Sequence, residues 1–167
     1  MTSQSRPDLV IPLVDSIRVS LRPPVHGWLD VDIDLDEFRL DAAASWVLND
    51  PLEELVDLGS FLARGGSGSR RVCLWGEPAG YAIDAWNLND TLAQVLLSYA
   101  PHFIPPMAGR AMRRKYVCTV ERVGLARAIR AAVDELFAKA GAAVAPPHWH
   151  APDRYAQTLV TLREASP

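Results

Sequence analysis

The run Gly27-Trp28-Leu29-Asp30-Val31-Asp32-Ile33-Asp34-Leu35-Asp36 constrains this chain more than any other stretch. Leu29, Val31, Ile33 and Leu35 take every second position, and Trp28, Asp30, Asp32, Asp34 and Asp36 take the positions between them. Successive side chains of a strand point to opposite faces, so this period of two predicts a strand with one apolar and one acidic face. The D-x-D-x-D opening resembles the start of a calcium loop. Such a loop needs glycine at its sixth position and glutamate at its twelfth, where this chain has Leu35 and Asp41. No metal site is expected there. Four carboxylates on one face repel one another and gain from a basic partner. Asp30, Asp32, Asp34 and Asp36 are therefore the candidate partner-binding residues, with a solvated strand face as the plainer alternative.

Other elements follow from period and punctuation. Ile17 to Leu21 alternates as a strand that Pro23-Pro24 should end. Phe38 to about Trp46 reads as a neighbouring strand. Asp50 suits a helix N-cap, with Pro51 at the first position and Glu53 three residues after the cap. Leu52, Leu55, Val56 and Leu62 continue the helix to Arg64, and Gly65 stops it. Residues 71–75, 81–86 and 91–99 read as a meander joined by turns at 76–80 and 87–90. Residues 115–120 resume as a strand. Leu125, Ile129, Val133, Leu136 and Phe137 form a helical stripe, and 153–164 can form a short helix. Strands follow one another directly, which predicts an α+β domain. The expectation is one antiparallel sheet of about five to seven strands, helices near 51–64 and 124–139, and a short C-terminal helix. Residues 1–167 form a single domain on this reading, with 1–14 extended or loose.

Composition narrows the function class. Of the 167 residues 49% are hydrophobic and 22% charged, an ordinary globular balance. No stretch approaches the roughly 20 apolar residues of a membrane span, and the first residues lack the pattern of a secretory signal. No membrane association and a cytoplasmic location are expected. Two cysteines exclude a disulfide framework and a four-cysteine zinc site. The net charge of −3 conceals an asymmetry. Residues 1–60 hold twelve acidic and four basic residues, a balance of −8, and the remainder carries +5.

Motifs of catalysis are scarce. Cys73 and Cys118 lie among apolar residues without the electropositive setting that activates a thiol, so both read as structural. His148-Trp149-His150 supplies two imidazoles, whereas catalytic zinc usually takes three protein ligands. No nucleophile elbow, Walker loop or dinucleotide fingerprint is present. Catalytic residues, metal ligands and cofactors are therefore all expected to be none. Arg110, Arg113, Arg114 and Lys115 form a basic cluster. The pI near 5.8 and the lack of interleaved aromatic residues along this segment argue against nucleic acid as a partner.

The segments GWLDVDIDLDEFRLDAAASWVLNDPLEELVDL, RRVCLWGEPAGYAIDAW and YVCTVERVGLARAIRAAVDELF together resemble small bacterial proteins of uncharacterised families, several of which sit among the proposed immunity proteins of polymorphic toxin systems. The shared features are an acidic two-strand opening, a helix starting near a Pro-Leu-x-x-Leu segment, a W-x-E-P-x-x-Y hairpin and a late amphipathic helix. The hairpin residues here are Trp75, Glu77, Pro78 and Tyr81. The resemblance implies a non-enzymatic binder that neutralises a toxin with a basic surface, and it carries over no catalytic residue. The competing class is a small-ligand protein or enzyme with a cleft near Trp75, Glu77, Tyr81 and His148.

Overall fold

A computed structural model describes residues 10–101, 112–140, 160, 163 and 164. The described residues form β1 (Leu13–Val14), β2 (Ile17–Val25), β3 (Trp28–Leu35), β4 (Phe38–Ser45), α1 (Pro51–Arg64), β5 (Ser69–Trp75), β6 (Gly80–Asn87), β7 (Leu92–Ala100), β8 (Arg113–Glu121) and α2 (Arg122–Ala140). The segment 153–164, expected to be helical, lies largely outside the described residues.

The single antiparallel sheet is overturned. Eight strands divide into a five-stranded sheet, ordered β1-β8-β7-β6-β5, and a three-stranded sheet, ordered β2-β3-β4. The larger sheet is mixed, because β1 runs parallel to β8, with Leu13 opposite Thr119 and Val14 opposite Val120. The reason for the division lies between β4 and β5. The chain leaves the small sheet through the 14-residue helix α1, so β5 cannot fold back on β4 as a hairpin would. Side chains occupy the edge of β5 instead. Asn49 Nδ2 donates to the Cys73 carbonyl at 2.8 Å, and the Cys73 N–H donates to Glu54 Oε2 at 2.6 Å. Asn49 Nδ2 also donates to Glu54 Oε1 at 2.9 Å. One donor and one acceptor on the edge of the strand, which would otherwise be open to pairing, are thereby satisfied.

Within the small sheet the alternation of β3 works as the sequence predicts. Leu29, Val31, Ile33 and Leu35 are all buried, facing α1 and α2. The β2–β3 turn places His26 and Gly27 at φ 52° and 84°, the left-handed pair of a tight hairpin. β2 continues past Pro23-Pro24 to Val25 with a register shift between Arg22 and Val25. An edge strand tolerates proline because its outward N–H groups have no ladder partner.

Asp50 caps α1 by accepting from the N–H groups of Leu52 and Glu53, at 3.1 and 2.9 Å. Leu55, Val56, Ile129 and Val133 are buried as expected, and Phe137 is half-buried. Ile129 meets Val19, Ile33, Ile83 and Val95 around a wholly apolar void of about 10 Å³. Both sheets and both helices therefore share one core.

Arg122, at the start of α2, holds distant elements together. Its Nη1 donates to the carbonyls of Leu62 and Ala63 in the last turn of α1. Its Nε and Nη2 donate to the Asp90 carbonyl at 3.0 and 2.8 Å. A cation at the C-terminal carbonyls of a helix satisfies orphan acceptors and opposes the helix dipole. Gly65, at φ 74°, makes room for it, since a Cβ there would stand 3.1 Å from the guanidinium.

Candidate functional site

The pairing register builds a charged lattice on the outer face of the three-stranded sheet. Ser20, Asp32 and Asp41 stand in one row, Arg18, Asp34 and Arg39 in the next, and Arg22 stands opposite Asp30. Arg22 bridges the carboxylates. Its Nε donates to Asp30 Oδ2 at 3.1 Å, its Nη1 donates to Asp32 Oδ2 at 3.0 Å, and its Nη2 lies 3.9 Å from Asp41 Oδ1. Arg39 approaches from the other side, 3.6 Å from both Asp32 Oδ1 and Asp34 Oδ1. Asp32 and Asp41 are adjacent like charges, and the two guanidiniums offset their repulsion. The bond to Asp30 and the charge of Asp32 push the Arg22 pKa above its ordinary value.

Three of the four sequence-predicted aspartates, Asp30, Asp32 and Asp34, share this face. The Asp32 side chain is only 10% exposed between the two arginines, while Asp30 and Asp34 are 41% and 36% exposed. Asp36 is elsewhere. It sits in the β3–β4 turn at φ 50°, where its carboxylate accepts from the N–H groups of Asp15 and Ser16 at 3.0 and 2.8 Å. Strand period placed it on the acidic face; the turn rotates it onto the β1–β2 connection. Asp41, Arg22 and Arg39 were missed because cross-strand register is not visible in a single strand's pattern. Equal numbers of residues on either side of the β3–β4 turn could have suggested the pairing of Asp34 with Arg39.

One end of the same sheet is apolar. Val25, Val47 and Leu48 are 63%, 83% and 38% exposed. The Val25–Trp28 pairing and the Trp46 N–H, which donates to the Gly27 carbonyl at 3.1 Å, bring their segments to the same end of the sheet. The arrangement places hydrogen-bond acceptors beside an apolar group. Carboxylates fixed by arginines accept hydrogen bonds in set directions, and a small apolar end lies beside them.

The residues of the candidate cleft do not converge on one face. Trp75 pairs with Gly80 and Tyr81 with Leu74, so strand alternation sends Trp75 and Tyr81 to opposite faces of the large sheet. Trp75 is buried, and a Cβ on Gly80 would collide with its ring. Glu77 is exposed in the β5–β6 turn. His148 lies outside the described residues, as does His150. Burial pushes the thiols of Cys73 and Cys118 up to about 11, the opposite of activation. Among the described residues, no group of three or more His, Cys, Asp and Glu is placed to hold a metal, and no helix is long and apolar enough to cross a membrane. No protein family, curated protein or solved structure matches the chain.

Proposed function

We propose that this protein is a non-enzymatic binding module that docks a partner with a basic surface onto the outer face of β2, β3 and β4. The partner on this reading is a bacterial toxin, neutralised in the cytoplasm. The observation that carries the proposal is the contiguity of two surfaces on one rigid sheet. A charged lattice of Asp30, Asp32, Asp34 and Asp41 adjoins the exposed apolar group of Val25, Val47 and Leu48. Protein interfaces combine such an apolar part with a polar rim. Arg22 and Arg39 hold the aspartates in place, so little side-chain freedom is lost on docking. The balance of −8 over residues 1–60 adds a longer-range attraction for a basic partner. The resemblance of residues 25–140 to immunity proteins supports a toxin as that partner.

The test begins with capture of a partner from the native host, or with a toxin encoded beside this gene. Asp30→Asn with Asp34→Asn should slow its association several-fold and flatten the salt dependence, while stability stays within about 0.5 kcal/mol. Val47→Asp should speed dissociation. Association and dissociation rates unchanged in both variants would overturn the proposal.

A further inference from the structure

A second surface lies at the rim of the core-facing side of the five-stranded sheet, where Tyr81 packs in part against the hydrophobic core. Tyr81 of β6 stands directly opposite Tyr99 of β7, and Tyr99 stands directly opposite Arg113 of β8. Side chains directly opposite one another share a face, so the three form a row across three neighbouring strands. The register shift in β8 leaves Lys115 as the extra residue between the partners of Leu97 and Ser98. Its ammonium lies 5.2 Å from the centre of the Tyr99 ring. The tyrosine rings are 5.1 Å apart and tilted at 52°, and both residues are partly exposed. Arg113 is exposed and forms no ion pair with another described residue. That sets it apart from Arg22, Arg39, Arg70 and Arg71, each of which faces a carboxylate.

We propose that this row binds a nucleotide unit, its base packed against Tyr81 and Tyr99 and its phosphate held by Arg113 and Lys115. Aromatic side chains on a sheet surface offer a face on which bases of any sequence stack, and adjacent cations hold the backbone. The overall acidity of the chain opposes an anionic ligand only at long range, since charges further than a Debye length of about 8 Å are screened at physiological salt. Aromatic residues absent from the basic segment itself arrive from two neighbouring strands. Asp36 and Glu37 act on the neighbouring Tyr116, and Glu77 is exposed in the β5–β6 turn at the same end of the sheet. The Asp36 carboxylate is already occupied by two backbone N–H groups.

The full chain is titrated with fluorescein-labelled oligothymidylate and oligouridylate, followed by anisotropy, and with AMP and ATP, followed by calorimetry. Binding of an oligomer alone identifies single-stranded nucleic acid as the source, and binding of a mononucleotide alone identifies a free nucleotide. Either outcome supports the shared chemistry. Oligomer affinity should fall with salt at a logarithmic slope of about −0.7 for the one phosphate neutralised. Arg113→Ala with Lys115→Ala should weaken binding at least about tenfold. Tyr99→Leu should weaken it at least about fivefold, whereas Tyr99→Phe keeps it within about twofold. Arg113 and Lys115 are exposed, so their double variant decides the matter even if Tyr99→Leu fails to fold. No binding of any of these ligands at low salt, or equal binding by the double variant, overturns the proposal.

Discussion

The two sheets bury their residues alike along most of their length and differently at one end. In β3 every second residue turns to the outer face, and aspartate or tryptophan stands there. Most of β7 alternates in the same way, but toward the β5–β6 turn consecutive residues of the large sheet are buried together: Leu74 with Trp75, Ala82 with Ile83, and Leu97 with Ser98. Where one face of a strand meets water its burial alternates, and where both faces are covered it need not. The difference teaches where each sheet can meet a partner. The small sheet offers its outer face along its length, whereas the large one offers the exposed Arg71–Asp84 pair on its outer face and, at the ends of its strands, the row where Tyr81, Tyr99 and Arg113 reach the surface.

Different burial does not make the sheets separate folding units, and the largest predicted effect tests that. Ile129→Asp would place a charge where Val19 and Ile33 of one sheet face Ile83 and Val95 of the other. An unpaired buried charge should cost about 4 kcal/mol or more. Urea unfolding followed by circular dichroism and tryptophan fluorescence should show one early, coincident transition. Two separated transitions would break the comparison into two independent sheets.

A smaller loss is expected from Arg122→Ala, which strips a charged donor from the carbonyls of Leu62, Ala63 and Asp90. Hydrogen bonds to charged groups are worth about 1.5–3 kcal/mol, and an equilibrium unfolding loss of about 2 kcal/mol is predicted. Hydrogen exchange should quicken first in the last turn of α1. A loss under about 0.5 kcal/mol would mean that water replaces the guanidinium without cost.

The smallest effect concerns the seam between the sheets. Burial raises the Glu54 pKa above its ordinary value of 4.5, outweighing the hydrogen bonds from Cys73 and Asn49. A carboxyl with a raised folded pKa binds more protons folded than unfolded, so its contribution to stability declines as pH rises from the unfolded value through the folded one. Glu54→Gln keeps an acceptor for the Cys73 N–H and removes the titration. The variant should therefore gain stability relative to the natural chain as pH rises from about 4 to 7. Parallel stability curves for the two proteins would show that burial does not govern this carboxyl.

Much of the secondary structure was legible because local chemistry decided it. Asp50 and Pro51 start α1 in the sequence as they do in the fold, and Gly65 ends it. The β3 strand could be read from its period. The division into two sheets could not, since it depends on what occupies the edge of β5. Glu54 reads as a solvent-facing helix residue until the Cys73 N–H is placed beside it. Asp36 shows the same limit in the site: a period of two carries no mark of where a strand ends and a turn begins. Arg22 and Arg39 became part of the site only through register, which local pattern does not encode.

The clasp of Arg122 also sets an order of events during synthesis. The residues of β2, β3, β4 and α1 leave the ribosome as a local unit, but α2 begins nearly sixty residues after α1 ends. At about 5–20 residues per second that interval lasts roughly 3–12 s. Throughout it the apolar face of β3 lacks one of the two helices that pack on it, and the last carbonyls of α1 lack their cation. A nascent chain in this state exposes apolar surface that stays open to aggregation until residue 122 and the helix after it emerge.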